Sequence, residues 1–272
     1  MTTIFITGCS SGFGRATAQL FLDRGWNVVA AMRTPREDVL NGGPDRLRVV
    51  TLDVRDTDSV RAGVEEAIGA FGGVDVLVNN AGVGFFSPLE TTTDQTIRHL
   101  FETNTFGVMA MIRAMVPHMR ERGVGIIVNV TSSSTFAPMP LTAVYAASKT
   151  AVDGLSEALY FELAPFGIQV KMVEPGYGPG TAFSTNAVAL NDESSIPVAY
   201  QAHAQHLMGA LPSESTSAGD VAEGVFRAVA EKGPTLRFPA GPDSVAIAQK
   251  RATLSEEAFL EKQRDIVGHP QR

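Results

Sequence analysis

Tyr145-Ala146-Ala147-Ser148-Lys149 sets a phenol and an ammonium four residues apart. On a helix the two side chains share one face. A nearby cation favours a phenolate, so the pair predicts a tyrosine pKa drawn down from about 10. Such a Tyr145 could give or take a proton near neutral pH. The spacing alone is weak, because an amphipathic surface helix produces it by chance. Two further polar residues strengthen it. Ser132 follows the apolar run 125–130, so its hydroxyl would stand at a strand end. Asn104, in Glu102-Thr103-Asn104-Thr105, interrupts an otherwise apolar stretch. Its plain structural role would be a hydrogen bond across a helix kink.

A second set of residues suits a phosphate. Thr7-Gly8-Cys9-Ser10-Ser11-Gly12-Phe13-Gly14 lies between a short apolar run and an amphipathic stretch. Glycines there permit a tight turn and a close backbone approach, and the helix N-terminus that follows offers N–H groups and a positive dipole end. The spacing is Gly-x-x-x-Gly-x-Gly, which a tight strand-to-helix connection could also explain. Cys9 reads as a small packing residue, since no histidine accompanies it.

The elements that must position these groups alternate regularly. Strands are expected at 3–7, 26–32, 48–52, 74–79, 125–130 and 168–173, with a possible last strand at 235–238. Helices are expected at 12–24, 57–71, 94–120, 143–166 and 220–231, a possible one at 198–209, and a helical tail from Ser255. Near-continuous apolar strands between helices imply a parallel sheet covered on both faces. Right-handed crossovers then make it doubly wound, in a single α/β domain of the Rossmann type over residues 1–272. Ligands of such sheets bind outside the strands' carboxyl ends. Asp53 and Asn79-Asn80-Ala81-Gly82 fall there. Asp53 could accept from an adenine amino group or cap the turn before Asp56, and the asparagines could tie adjacent strands. The second strand ends Ala30-Ala31-Met32-Arg33, with no carboxylate for a ribose hydroxyl. Arg33 could instead fork onto a 2′-phosphate, with Ser10 and Ser11 adding hydroxyls, so NADP(H) is preferred over NAD(H).

Composition narrows the partners. The chain has 272 residues, formal net charge −7 and 44% hydrophobic residues. An acidic balance disfavours nucleic acid and anionic membranes. One cysteine allows no internal disulfide, which fits a reducing, cytoplasmic setting. Neither a signal peptide nor a membrane span is expected. His203 and His206 sit three apart without a third ligand, so no metal site is expected.

The ordered set resembles the short-chain dehydrogenase/reductase family. It comprises Thr-Gly-x-x-x-Gly-x-Gly, Asn-Asn-Ala-Gly, a helix Asn, a strand-end Ser thirteen positions before Tyr-x-x-x-Lys, and Pro175-Gly176. The Thr-Gly-Cys-Ser-Ser-Gly turn and Leu236-Arg237-Phe238-Pro239 are most similar to members acting on hydroxysteroids and retinoids. The resemblance implies an oxidoreductase in which Tyr145 exchanges a proton with the substrate oxygen. Lys149 would bind the nicotinamide ribose and lower the pKa of Tyr145, Ser132 would bind the carbonyl oxygen, and Asn104 would place a water in a relay to Lys149. It implies cofactor contacts from Gly8, Ser10, Ser11, Gly12, Phe13, Gly14 and Arg33, from Asp53 and Val54 at the adenine, and from Asn80, Ala81 and Gly82. Pro175 and Gly176 would flank the nicotinamide. Many relatives carry a carboxamide-binding Thr five residues after this proline; here Thr181 is six after, in a segment dense in Gly and Pro.

Residues 181–212 read as a substrate lid. They carry Phe183, Val188, Leu190, Ile196, Tyr200, Leu207 and Met208 but no Arg or Lys. Phe85, Phe86, Phe136, Met139 and Leu141 border the crevice from other loops. A neutral, apolar carbonyl or alcohol is therefore expected as substrate. Small residues at Ala147, Ala151 and Gly154 allow close helix approach, and the resemblance implies a homodimer or homotetramer. The rivals are an epimerase or dehydratase that retains its cofactor, a cofactor-binding sensor without turnover, and an NAD(H)-dependent alcohol dehydrogenase.

Overall fold

In the computed structural model, residues 2–179, 196–210 and 214–268 are described. The strands are β1 (Thr3–Thr7), β2 (Asn27–Met32), β3 (Leu47–Thr51), β4 (Val76–Asn79), β5 (Gly125–Val130), β6 (Ile168–Pro175) and β7 (Arg237–Ala240). The helices are α1 (Gly12–Asp23), α2 (Thr57–Phe71), α3 (Asp94–Phe101), α4 (Gly107–Arg122), α5 (Ala143–Leu163), α6 (Val198–Gly209), α7 (Ala218–Ala230), α8 (Pro242–Thr253) and α9 (Glu256–Val267). The seven strands form one parallel sheet in the order β3-β2-β1-β4-β5-β6-β7. The order reverses between β1 and β4, and that switch point is where such a sheet opens a crevice.

Period-two alternation divides the core into two layers. Ile4, Ile6, Val28 and Val128 face α1 and α7. Phe5, Val29, Leu77, Ile127 and Val170 face α2, α4 and α5. Every residue of β1, β2 and β4 is buried, as a sheet covered on both sides requires.

Three expectations are corrected. The helix expected at 94–120 is broken by one π turn, Glu102–Phe106, which contains Asn104. A wider turn of this kind is a local bulge common at functional sites, and apolar periodicity does not reveal it. The last strand lies at Arg237–Ala240 rather than 235–238. It runs through Pro239 because β7 is an edge strand, where a missing N–H costs no ladder bond. Finally α8 was not expected at all. Gly241 and Pro242 open it, with the proline at the first helical position.

A buried polar line stitches the centre together. Asn79 Nδ2 donates to Asn129 Oδ1 at 2.8 Å, and Asn129 Nδ2 donates to Ser156 Oγ at 2.9 Å. This joins β4, β5 and α5 through side chains in a dry interior. Asn129→Ala should leave Asn79 Nδ2 without its acceptor and Ser156 Oγ without the amide that donates to it, with only its bond to the Val152 carbonyl remaining. We expect a loss of about 1–3 kcal/mol, read as a fall of several degrees in thermal midpoint for a chain of this size. An unchanged midpoint would remove the line from any account of stability.

Candidate active site

The glycine turn between β1 and α1 is fixed from β4. Thr7 Oγ accepts from the backbone N–H groups of Asn80 and Ala81, each at 3.0 Å. Asn80 Nδ2 donates back to the carbonyls of Thr7 and Gly8 at 2.9 and 3.3 Å. The Asn80 side chain is thus spent on holding the turn. A Cβ at Gly14 would overlap the Gly8 carbonyl oxygen and Asn80 Nδ2, so only glycine allows α1 to start this close. Ser11 sits at the N-cap of α1 without a side-chain capping bond. Cys9 is fully buried, and burial pushes its thiol far up, which leaves it inert.

A cleft runs from this turn across the strand ends. It is lined by Gly8, Ser10, Ser11, Gly12, Phe13, Met32, Arg33, Asp53, Val54, Asn80, Ala81 and Gly82, together with Arg55, His99 and Thr103. Arg33 is exposed, and no hydrogen bond or ion pair to it is found among the described residues. Asp53 both lines the cleft and caps its own turn, accepting from Arg55 N–H at 3.0 Å. The Arg55 guanidinium reaches it at 2.6 Å and holds its carboxyl down at about 2. His99 lies beside that guanidinium at 3.4 Å, and its pKa is lowered by burial and then by Arg55 and Arg33. Arg55 and His99 were not anticipated. Arg55 stands in an Asp-x-Arg turn that a sequence reading could have noted, whereas only the fold brings α3 and His99 there.

Tyr145, Ser148 and Lys149 rise from the first two turns of α5. Ser132, two residues past the end of β5, shares a hydrogen bond with the Tyr145 hydroxyl. Lys149 is buried, and its Nζ donates to the Val130 carbonyl at 3.0 Å. Asn104 is fully buried in the π turn. Its Oδ1 accepts from Val83 N–H at 2.8 Å, while Nδ2 donates to Val83 O at 2.9 Å and to Ser148 Oγ at 3.0 Å. A Cβ at Gly82 would lie 3.3 Å from both Asn104 Oδ1 and Lys149 Nζ. Asn104 and Lys149 therefore meet at Gly82 on the cleft wall, and Ser132 pairs with Tyr145 at the start of α5.

One electrostatic expectation is reversed. Packing around the half-buried Tyr145 pushes its hydroxyl up to about 12, against a smaller opposing effect of the Ser132 hydrogen bond. Burial brings Lys149 down to about 8, with Asp153 resisting. Loss of solvent outweighs the i, i+4 cation, whose ammonium is turned to the Val130 carbonyl.

Pro175 ends β6, and a clasp that sequence reasoning missed holds Gly176 and Tyr177 just beyond it. Thr216 Oγ accepts from Gly176 N–H at 3.0 Å and donates to Asp243 Oδ1 at 2.6 Å. Asp243 Oδ2 accepts from Tyr177 N–H at 2.7 Å. Both Thr216 and Asp243 are buried. The only sequence signal was the Gly-Pro-Asp start of α8. Thr181, expected at the carboxamide, lies outside the described residues, as do Phe183, Val188 and Leu190.

Beyond Tyr145, α6 packs Ala204 and Leu207 against Leu141, with Phe86, Ile196, Tyr200 and Val267 around them. Leu141 is the one non-glycine residue with positive φ among the described residues, at 63°. Phe85 does not border open space; it is buried against Leu100, Val144 and Tyr145. His203 and His206 lie on α6, and no cluster of three metal-ligating side chains occurs among the described residues. No helix among them is long and apolar enough to cross a membrane.

A glycine cradle at the switch point of a parallel sheet, with Ser, Tyr and Lys meeting beyond it, defines a dinucleotide-binding oxidoreductase architecture. The sequence model described as short chain dehydrogenase matches residues 2–190. The chain belongs to the short-chain dehydrogenase/reductase family. It is 34% identical over 240 residues to the 3-ketodihydrosphingosine reductase of Bacteroides thetaiotaomicron, covering 88% of this chain and 87% of that one. It is 32% identical over 257 residues to human 17-beta-hydroxysteroid dehydrogenase type 1, covering 87% and 76%. Two solved family structures superpose closely. One from Burkholderia phymatum, in complex with NAD, has a TM-score of 0.80 at 28% identity and covers 100% of this chain and 98% of that one. One from Burkholderia cenocepacia, in complex with NADP, has a TM-score of 0.76 at 25% identity and covers 96% and 97%.

The Asp243 clasp has a direct test. A Cβ at Gly176 would overlap the Asp243 carboxylate. Gly176→Ala should therefore lower the thermal midpoint, and the same change in an Asp243→Ala background should cost much less. Simple additivity of the two substitutions would show that they do not share this space.

Proposed function

We propose that the protein is an NADP(H)-dependent oxidoreductase. It moves a hydride between the nicotinamide and a neutral, apolar ketone, aldehyde or secondary alcohol, and Tyr145 exchanges the proton. The observation that carries this reading is a pair of contacts at the cleft wall: Ser132 bonds the Tyr145 hydroxyl, and Lys149 Nζ and Asn104 Oδ1 flank Gly82.

The cleft fits a dinucleotide. The glycine turn, with Gly14 closed to any side chain, suits a pyrophosphate. Asp53, Val54 and the Asn80–Gly82 backbone would hold the adenosine, Lys149 the nicotinamide ribose, and Pro175 and Gly176 the nicotinamide. Exposed Arg33, with no hydrogen-bond or ion-pair partner among the described residues, is suited to the 2′-phosphate form, since no carboxylate ends β2 to take a 2′-hydroxyl. When bound, the cofactor gives or takes the hydride at its nicotinamide C4.

The chain does the rest by placement and electrostatics. With its hydroxyl held near 12, Tyr145 is protonated at neutral pH and stands ready to donate to a carbonyl oxygen. The Ser132 hydroxyl beside it is a second donor to that oxygen. As the proton leaves Tyr145, negative charge gathers on the phenolic oxygen, and the Lys149 ammonium one turn along α5 offsets it. Lys149 commits one of its three N–H donors among the described residues, leaving two for hydroxyl groups. Asn104 Oδ1, which flanks Gly82 with Lys149 Nζ, is suited to hold a water that passes protons to Lys149.

The apolar substrate is supported by the Leu141–Leu207 cluster and by the absence of Arg and Lys from 181–212. The names of the sphingosine-base and steroid relatives point the same way. A second copy of the chain is the proposed partner through α4 and α5, near which Phe106, Phe161 and Phe166 stand exposed.

Loss of NADPH absorbance over a panel of hydrophobic ketones tests the reading. Tyr145→Phe should reduce kcat by about a hundredfold to ten-thousandfold; unchanged turnover would refute the mechanism. Arg33→Ala should raise KM for NADPH about tenfold, the scale of one exposed charge-assisted contact, and leave KM for NADH nearly unchanged. A tenfold preference of the wild type for NADH would overturn the cofactor assignment. Lys149 must be charged to offset the phenolate. Ketone reduction should therefore hold below pH 8 and fall as the pH rises through about 8, where Lys149 loses its proton.

A further inference from the structure

Lys149 is a buried cation, and burial of an ammonium is costly unless a counter-charge stands near. Its one hydrogen bond among the described residues goes to a neutral carbonyl. The same face of α5 carries Asp153 one turn on, also buried. Asp153 Oδ1 has no hydrogen-bond partner among the described residues. Its Oδ2 accepts from Arg237 Nη1 at 2.8 Å.

Arg237 opens β7 and reaches three carboxylates. Nη1 also donates to Glu174, and Nη2 donates to the exposed Glu157 at 2.8 Å. Glu174 is almost wholly buried and precedes Pro175 and Gly176 directly. Arg237 pairs with Met172 in the sheet, so Glu174 lies diagonal to it on the face toward α5. A single guanidinium thus links the helix that carries Tyr145 and Lys149 to the strand end beside them.

We propose that Asp153 is a positioning residue for the Tyr145–Lys149 pair, supplying the counter-charge of buried Lys149 while Arg237 fixes it against Glu174. The proposal rests on the reaction assigned above. The charged groups around Asp153 and Lys149 come from several elements. They are Arg237 on β7, Glu174 on β6 and Glu157 on α5 itself, while Asp243 on α8 is engaged by Thr216 and Tyr177. The π turn offers the neutral Asn104, and β5 the Val130 carbonyl. Among these, Asp153 favours the charged form of Lys149 against burial, and Arg237 dilutes the negative charge that Asp153 presents.

Opposite signs follow for two substitutions. Asp153→Asn keeps the side-chain shape and removes the charge, so Lys149 should lose its proton at lower pH. The alkaline limb of kcat for ketone reduction should move down by about one pH unit. Arg237→Gln leaves the Asp153 charge undiluted, and the limb should move up. Asp153→Glu should restore the wild-type limb. KM for the ketone should change little in each. Lysine-labelled NMR titration of the full chain without added dinucleotide should place the Lys149 resonance in the same order, independently of turnover. Wild-type limbs and an unmoved Lys149 titration in Asp153→Asn would overturn the proposal. So would a shift of the same sign in Asp153→Asn and Arg237→Gln, which a merely structural role would produce. Turnover that survives Tyr145→Phe would instead overturn the reaction assignment and leave the NMR order standing.

Discussion

Helix α5 buries a polar stripe, and the rest of the site depends on its finding partners. Ser148, Lys149, Asp153 and Ser156 all face inward. A buried polar group without a partner costs more than a satisfied one contributes. The helix therefore docks in the one axial position that supplies all of them. Asn104 meets Ser148, the Val130 carbonyl meets Lys149, Arg237 meets Asp153 and Asn129 meets Ser156. A slide of one turn along the axis would part Lys149 and Asp153 from these partners and leave Ser148 and Ser156 only their bonds within the helix. This is why Tyr145, half-buried at the helix start, stands beside Ser132 at the end of β5.

The same logic explains the break in the long helix before it. Asn104 spends its amide on both backbone groups of Val83 and on Ser148, which a regular α-helix would not turn toward them. The π turn is the local distortion that aims it. Thr105 in that turn donates to the Ser148 carbonyl at 2.8 Å, so the bulge grips α5 twice. Backbone regularity is given up at the point where two helices and the β4 end loop must agree.

Much of this was legible in the sequence because it obeys short-range rules. Continuous apolar runs gave the parallel sheet and its covered faces, and the glycine turn, Asn79–Gly82 and the Tyr145–Lys149 spacing placed the crevice at the strand ends. What escaped depends on distant partners. The tie from Asn79 to an adjacent strand was expected, but its partner Asn129 and the onward bond to Ser156 on α5 share no local pattern with it. Arg237 lies 84 residues from Asp153 and 63 from Glu174. Asp243 and Thr216 clasp Gly176 only because α8 packs on the edge strand. The π turn is invisible to a reading of period, since one extra residue per turn leaves the apolar count intact. The pKa of Tyr145 was misjudged for a related reason. Spacing reports the cation but not the solvent that packing removes.

Burial acts on the two halves of the Tyr145–Lys149 pair in opposite chemical senses yet toward the same charge state. It holds the phenol neutral and presses the ammonium toward neutrality. A dry site with both groups neutral would have no reason to ionise either. The field that restores contrast must come from fixed charges outside the pair, and Asp153, held by Arg237, is the one that acts on Lys149. Glu174 is itself drawn up to about 7 by burial, against the pull of Arg237. In the proposed reaction the pair then works as one dipole. The low dielectric that makes each charge costly also makes the Lys149 ammonium effective against the charge that develops on Tyr145. The polar stripe of α5 is in this sense the site's electrostatics as well as its scaffold, since the contacts that fix the helix position also set the charge beside the reacting oxygen.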